Sequence, residues 1–297
     1  MARGRSLGTV LFDVALHVML TLAALVCLLP LIQCVALSFS DSAHASAFKV
    51  GLWPVGFNLE NYRWIMRGAQ FRSSFFISVM RTIGGSLLTV LVTVLSAYPL
   101  SVRESFPGKQ VFKWLLIVSM LFQGGLIPWY LALRSLGLTN NLWGLILPGV
   151  VVVWLVIIAF NCFRNLPVEL AESAQIDGAS HWVILFRIYL PLSLPMLATI
   201  TLFIAVGHWN SWFDGLVLMS DVSRYPLMTY MRATVLNPEW ARMLALSVNY
   251  NVTLLRFLSD RGLRGAMIVV TTLPILVLYP FLQRYFIHGL TLGAVKG

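Results

Sequence analysis

Residues 142–163 read LWGLILPGVVVVWLVIIAFNCF, and their centre, from Val150 to Ile158, carries no charge. A helix made of such residues has no polar face to turn towards water, so this stretch cannot be a surface helix of a soluble protein. A bilayer core about 30 Å thick needs roughly 20 predominantly apolar residues to be crossed by a helix. The stretch therefore predicts a transmembrane helix.

Composition extends this prediction to the whole chain. Of the 297 residues, 59% are hydrophobic and 11% are charged, and the mean hydropathy is +0.83. Ordinary soluble domains carry about 25% charged residues. The sequence contains six apolar runs of spanning length and no separate soluble domain, which predicts an all-α integral membrane protein with residues 1–297 as a single transmembrane domain. The predicted spans are about residues 11–39, 75–102, 112–133, 142–163, 190–219 and 263–286.

Basic residues near short loops predict which side of the membrane each loop faces. Six spans put both termini on one side, together with Arg103, Lys109 and Lys113, and we expect that side to be the cytoplasm. The two long outer loops are also basic, although long loops translocate with less regard to charge. Their basic residues are Lys49, Arg63, Arg67, Arg72, Arg224, Arg232, Arg242, Arg256, Arg261 and Arg264.

Residue patterns for metal binding, nucleotide binding and catalysis are absent from the sequence. The histidines are scattered without the spacing of metal ligands on one helix, and the cysteines all lie inside predicted spans. There is no phosphate-binding glycine loop followed by Lys and Ser or Thr. We therefore expect no metal, no cofactor and no catalytic site in this chain, so that any ATP and Mg²⁺ would be bound by another chain.

The loop between the fourth and fifth predicted spans, about residues 164–188, carries the most specific motif. Residues 167–191 read PVELAESAQIDGASHWVILFRIYLP. Pro167 suits the start of a short amphipathic helix, and Gly178 suits its C-terminal end. Acidic and apolar residues then lie on different faces, which is typical of a helix that docks on a partner or lies passively on the membrane surface.

This segment resembles the signature loop of ATP-binding-cassette (ABC) importer permeases. In that loop Glu-Ala-Ala is followed by Gly and then by Ile-x-Leu-Pro, and here Glu172-Ser173-Ala174, Gly178 and Ile188 to Pro191 stand at those spacings, with Ser173 in place of Ala. The resemblance implies the type I permease fold of six transmembrane helices, with a cytoplasmic coupling helix between helices 4 and 5 that docks on a separate ATPase. The coupling residues that it implies are Glu169, Glu172, Ser173, Ala174, Asp177 and Gly178.

Other segments are similar to the MalG-like, complex-saccharide branch of the carbohydrate-uptake permeases. They are residues 124–131, 136–138, 145–149 and 207–212, and the C-terminal stretch 289–297. In the maltose permease this tail reaches into the ATPase dimer interface; without that resemblance it would be expected to fray. The tail residues to which the role carries over are Leu290, Thr291, Gly293, Lys296 and Gly297.

The resemblance implies a subunit of an importer that moves an oligosaccharide into the cytoplasm of a bacterium by alternating access across its inner membrane. The implied partners are a second, different permease, an ATPase homodimer, an extracytoplasmic solute-binding protein and membrane lipid, with no nucleic acid. A permease for a non-sugar solute remains an alternative. A secondary transporter is the other alternative, although the inverted repeats and embedded ionisable residues common in that class are not obvious here.

A polar cluster near the end of the fifth predicted span is our candidate for contact with the transported substrate. Polar groups within a span are costly unless they face a cavity or a partner, and aromatic faces pack against the C–H surfaces of sugars. A polar contact between helices is the alternative. The cluster consists of His208, Trp209, Asn210, Trp212 and Asp214.

The excess of arginine in the outer loops leads to a hypothesis about the cargo. An electropositive entrance raises the local concentration of an anion, and arginine matches carboxylates in particular. The cargo is then an acidic oligosaccharide, such as a uronate polymer like alginate, with Arg232 and Arg242 as residues to test. Pairing of these arginines with lipid phosphates or with acidic patches on the binding protein is the alternative.

Overall fold

A computed structural model describes residues 7–102, 107–122, 124–236 and 259–294 of the chain. Every regular element within these ranges is helical, as the sequence predicts. The helices are α1 (Leu7–Ser38), α2 (Ser42–Ser46), α3 (Glu60–Arg67), α4 (Ala69–Ser101), α5 (Lys109–Leu121), α6 (Leu126–Ser135), α7 (Leu142–Ile146), α8 (Val153–Arg164), α9 (Glu169–Ile176), α10 (His181–Ile184), α11 (Leu190–Leu192), α12 (Leu194–Asn210), α13 (Phe213–Leu218), α14 (Leu227–Leu236) and α15 (Asp260–Ala294). A π-helical turn, Leu185–Tyr189, joins α10 to α11, and 3₁₀ turns lie at Leu147–Gly149 and Val222–Arg224.

The chain falls into two compact units. One comprises Met1–Ala69 and Ala233–Leu273, and the other comprises Gln70–Arg232 and Pro274–Gly297. In the first unit the most apolar part of α1 is 0% buried, and the end of the helix is fixed by polar contacts. The Asn61 amide donates to the Ser38 carbonyl at 3.0 Å, and the hydroxyls of Ser38 and Tyr62 lie 2.7 Å apart.

Helix α4, in the second unit, turns its apolar side chains outwards and its polar side chains inwards. Phe76, Ile83 and Leu87 are 61%, 61% and 71% exposed. Ser78, Arg81 and Thr89, on the other face, are at most 2% exposed. This is the reverse of a soluble helix, because lipid accepts an apolar surface and polar groups then find partners in the protein interior.

Among the described residues, only α1 and α4 are single helices long and apolar enough to cross a membrane, and the predicted fourth and fifth spans each contain a bend. Leu142–Gly149 and Val153–Arg164 form a pair bent by 51°, and His181–Leu192 and Leu194–Asn210 a pair bent by 83°. Prolines explain both breaks, because proline lacks the N–H that would continue the helix and its ring clashes with the preceding turn. Pro148 lies at the first break, and Pro191 and Pro195 flank the second.

Three predicted boundaries also differ from the structure. The predicted third span, 112–133, is divided into α5 and α6, with Phe122 as the cap of α5 and Gly125 as the cap of α6. The fifth was predicted to begin near residue 190, but the helical path begins at His181, inside the predicted coupling loop. The sixth, 263–286, is part of the longer helix α15.

Candidate functional site

The segment that carries the signature motif forms a short helix, α9, close to its predicted bounds. The Gly178 N–H donates to the Gln175 carbonyl at 3.0 Å, and the Ala179 N–H donates to the Ala174 carbonyl at 2.9 Å, which closes the last turn. Gly178 has a φ of +80°, a left-handed conformation that glycine adopts without the penalty paid by a Cβ. The glycine of the motif is therefore explained by the backbone that it must adopt.

One face of α9 packs on the core of its unit and the other is exposed. Ala171 and Ala174 contact the core, whereas Glu169, Glu172, Ser173, Asp177 and Gly178 are exposed. Five apolar side chains of α9, α10 and the π-helical turn are also exposed, and we call this set the docking face. It consists of Leu170, Ile176, Trp182, Val183 and Phe186, which are 40%, 87%, 63%, 37% and 52% exposed.

An aromatic cluster joins this segment to the C-terminal end of α4. The Tyr189 ring meets Tyr98 edge-on at 5.2 Å and Phe163 at 5.6 Å, and the Tyr98 hydroxyl lies 3.2 Å from His181 Nδ1. Aromatic pairs of this geometry contribute about 0.5–1.5 kcal/mol beyond the area that they bury. These contacts connect the segment after α9 to α4 and α8 through packed aromatic side chains.

The predicted tail residues are only partly within the described structure. Helix α15 continues to Ala294, so the backbone at Leu290, Thr291 and Gly293 is helical. Lys296 and Gly297 lie outside the described residues.

A polar site lies between α4 and the α12–α13 connection. The Arg81 guanidinium is paired with the Asp214 carboxylate: Nη1 lies 3.2 Å from Oδ1, and Nη2 contacts Oδ2. Nη1 also donates to the Ser211 carbonyl at 3.3 Å, while the Ser211 hydroxyl and the Gly215 N–H donate to Asp214 Oδ1 at 2.8 and 2.9 Å. The Arg81 side chain is 3% exposed and that of Asp214 is 19% exposed, so the ion pair is largely removed from solvent.

These charges line a cavity of about 330 Å³, which we call the Arg81 cavity. Its walls combine three aromatic rings with a few polar groups, and sites for small molecules have this composition and occupy about 300–1,000 Å³. Its lining includes Arg81, Trp129, Leu145, Trp154, Phe203, His208, Ser211 and Asp214.

A second cavity of about 580 Å³, the Asn140 cavity, shares Leu145 with the first. Its lining includes Ile77, Thr139, Asn140, Asn141 and Arg224. The Arg224 guanidinium donates to the Asn140 carbonyl and lies 3.8 Å from Asp221. Hydrogen bonds from Ser223 lower the pKa of Asp221, and the bond from the Ser223 side chain has a larger effect than the bond from its N–H. The lowered pKa keeps this carboxylate ionised beside Arg224.

The structure brings together two of the five residues predicted to contact substrate. His208 and Asp214 line the Arg81 cavity. Trp209 is buried against the Phe75 ring at 6.0 Å, Asn210 is exposed, and Trp212 lies beneath the guanidinium of Arg232 at 3.4 Å; none of these three lines the Arg81 cavity.

The residue that sequence reasoning missed is Arg81. It is the only charged residue in the predicted second span, and an ionisable residue within a span is by default a functional candidate. Trp129 and Trp154, which the sequence analysis did not select, also line the cavity.

The outer arginines whose contacts are described pack on, or hydrogen-bond to, other residues of this chain. Arg232 stacks on Trp212, and Arg261 stacks on Phe48 at 3.8 Å while donating to the Ala45 carbonyl at 3.4 Å. Arg242 and Arg256 lie outside the described residues. Stacked arginines hold loop structure, so a loss of function in Arg232→Gln would not by itself indicate an anionic cargo.

Gly85 allows the His208 ring to approach α4. A Cβ at this position would lie 2.5 Å from His208 Nε2, whereas a Cβ at Gly207 would have no atom within 4 Å. We expect Gly85→Ala to destabilise the protein by about 1–3 kcal/mol through overpacking. Gly207→Ala, the matched control, should be neutral or stabilising because alanine favours the helix. Thermal unfolding of the purified protein measures both, and equal midpoints would contradict this packing.

Among the described residues no group of three or more His, Cys, Asp and Glu side chains could hold a metal ion. The arrangement offers binding and docking surfaces: a buried guanidinium beside aromatic walls, and an exposed apolar face on a capped helix. This combination suits passage of a polar solute and contact with a partner protein.

Comparison with known proteins agrees with this geometry. Residues 73–291 match the family described as "Binding-protein-dependent transport system inner membrane component". The chain is 37% identical to the polygalacturonan/rhamnogalacturonan transport system permease protein YtcP of Bacillus subtilis (strain 168), over 97% of this chain and 99% of that protein. It is 38% identical to protein LplC of the same organism, over 96% and 95% of the two chains.

One solved structure, described as a bacterial ABC transporter involved in the import of the acidic polysaccharide alginate, has a chain similar to this one. The TM-score is 0.84 at 30% identity, covering 96% of this chain and 100% of the other. The chain therefore belongs to the family of inner membrane components of binding-protein-dependent transport systems.

Proposed function

We propose that this chain is a permease subunit of an ABC importer that moves an acidic oligosaccharide into the cytoplasm by alternating access. The observation that carries the proposal is the similarity, over 97% of the chain, to a polygalacturonan/rhamnogalacturonan permease. That polymer and alginate, the polysaccharide of the similar solved structure, both contain uronate units, each with a carboxylate. The buried Arg81 provides a group of matching charge.

The proposed topology has six membrane crossings within one transmembrane domain and both termini in the cytoplasm. Helices α1 and α4 are the first two crossings, α5 with α6 the third, the two bent pairs the fourth and fifth, and α15 the sixth. The outward apolar face of α4 supports membrane embedding. This topology puts α9 on the cytoplasmic side and the Asn140 cavity nearer the outer side.

The proposed partners are a second permease, an ATPase homodimer that binds ATP and Mg²⁺, and a solute-binding protein outside the membrane. This chain holds no cofactor or metal and performs no catalysis. The docking face supports the ATPase contact, because Ile176 is 87% exposed on a helix held rigidly at its other face. We assign the C-terminal tail, including Lys296 and Gly297, to the same ATPase interface.

The proposed substrate path passes the Arg81 cavity, with His208 and Asp214 as contacts from the predicted cluster. Trp209 and Trp212 have packing roles instead, since each is engaged by a neighbouring ring or guanidinium. Asn210 is exposed on the same helix and is a contact for the path or for the second permease.

Biochemical fractionation tests the proposal. The tagged chain, extracted from its native membrane, should copurify with an ATPase whose activity rises when the binding protein is loaded with uronate oligosaccharides. The chain purified free of partners should hydrolyse no ATP, because it lacks a phosphate-binding loop. Activity in the isolated chain, or a complex that no saccharide stimulates, would contradict the proposal.

Substitutions in α9 test the coupling role. Gly178→Val forces a β-branched residue into a φ of +80° and should cost about 1–2 kcal/mol or more locally, which displaces the end of the helix. Glu172→Lys reverses an exposed charge at the same face. Both variants should reach the membrane and lose the coupling of ATP hydrolysis to uptake. Normal uptake in both, measured with labelled sugar in cells, would refute the coupling role.

A further inference from the structure

We infer that the Arg81 cavity is a subsite for one acidic sugar unit, whose carboxylate replaces the carboxylate of Asp214 on the Arg81 guanidinium. The inference rests on the function proposed above and adds the location and chemistry of recognition. The exchange is non-covalent: the guanidinium releases one carboxylate and binds another, and no proton is transferred.

Arg81 has the geometry of a carboxylate-binding group. Its two terminal nitrogens already face the two oxygens of one carboxylate, the bidentate arrangement that arginine forms with carboxylates. Its Nε is buried and has no hydrogen-bond acceptor among the described residues. A buried donor without a partner is costly, and an incoming carboxylate that binds the Nε side of the guanidinium would satisfy it.

Asp214 can release Arg81 without becoming an isolated buried charge. Its Oδ1 would still accept hydrogen bonds from the Ser211 hydroxyl and the Gly215 N–H, and its side chain is 19% exposed where that of Arg81 is 3% exposed. Removal of one partner from a buried ion pair costs about 3–5 kcal/mol because the other charge is left uncompensated. In an exchange the more deeply buried charge, Arg81, keeps a carboxylate partner, and this new ion pair offsets the cost of leaving Asp214 with its two hydrogen bonds alone.

The cavity walls fit a sugar ring. Trp154 and Phe203 meet edge-on at 5.5 Å, and Trp129 completes the aromatic part of the lining. Apolar C–H faces of a sugar pack on such rings, while His208 and Ser211 add polar groups to the lining. A volume of about 330 Å³ accommodates one ring rather than a chain of several.

The neighbouring Asn140 cavity suits a cargo of several linked sugar units rather than a single sugar. Ile77, which lines it, lies four residues from Arg81 on α4, so the two cavities follow one another along this helix. Each cavity contains an arginine, Arg81 in one and Arg224 in the other. A uronate chain carries a carboxylate on every unit and so suits two successive arginine-lined cavities.

The test uses the full complex in proteoliposomes with its binding protein. One substrate is a uronate oligosaccharide, and the other is the same oligosaccharide after chemical reduction of its carboxylates to hydroxymethyl groups. The variants are Arg81→Gln, Asp214→Asn, the double variant, and Arg134→Gln as a matched control at an exposed arginine outside both cavities. The readout is the concentration of loaded binding protein that half-saturates ATPase stimulation.

Arg81→Gln should reduce the preference for the uronate over the reduced chain by about tenfold, since a hydrogen-bonded charge contributes about 1.5–3 kcal/mol. Asp214→Asn should change the preference in the opposite direction, because Arg81 loses its competing carboxylate. If the single variants assemble poorly, the double variant, which leaves no uncompensated charge, should still show the lost preference.

Equal impairment with both substrates in all three variants would mean that the pair is structural and would overturn the inference, while the proposed function stands. A wild-type complex that responds to neither substrate would instead overturn the proposed function.

Discussion

Replacement of Ile176 by Asp is expected to abolish ATP-driven uptake while the subunit stays folded in the membrane. Ile176 is 87% exposed at the end of α9, so its substitution removes no contact within the described structure that holds the fold. On docking, a buried Ile side chain contributes about 1.5–3 kcal/mol. A carboxylate buried in the same interface without a partner costs more still, so affinity for the ATPase should fall by well over tenfold.

The control for this substitution is Ile176→Met, which keeps an apolar side chain of similar volume and should retain most of the uptake. ATPase retained by the tagged chain after purification is measured beside uptake in cells. An Ile176→Asp subunit that retains its ATPase and transports normally would show that the docking face serves another purpose.

The second large effect is expected on stability. Arg81→Met should destabilise the subunit by about 3–5 kcal/mol, because the Asp214 carboxylate is left without its cation in a largely buried site. Thermal unfolding in detergent should show this as the lowest midpoint among single substitutions at the site.

A double-mutant cycle separates the ion pair from the packing of the two side chains. Arg81→Met with Asp214→Leu removes both charges, and the midpoint should recover most of the loss, since apolar replacement of a buried pair is often neutral or stabilising. Losses that simply add would indicate that the two residues act independently, contrary to their contact.

Much of the fold follows from local sequence, because apolar runs of sufficient length predict helices that are buried in a membrane. The runs around α1 and α4 predicted two long helices, and Pro167 and Gly178 predicted the ends of α9 to within a few residues. The bends were not predicted. Proline shows where a helix can break, but the angle of 83° after Leu192 is set by the packing of neighbouring helices.

The candidate site was less predictable, because its parts come from distant segments. Asp214 and His208 could be selected as polar residues in a span, but their partner Arg81 is on a different helix, and no local pattern indicates which polar groups meet. Arg81 itself could have been selected as a lone charge in an apolar run. Trp209 and Trp212 pack against a neighbouring ring and a guanidinium, and the composition of a cluster does not indicate which of its rings line a cavity.

The most direct test of the central claim is ATP-driven accumulation in proteoliposomes that contain this chain and its proposed partners. The account predicts that labelled uronate oligosaccharide, presented on its binding protein outside, accumulates only when ATP is enclosed on the side of the ATPase. Accumulation driven by an ion gradient without ATP would contradict the account, as would a complex that hydrolyses ATP yet transports no saccharide.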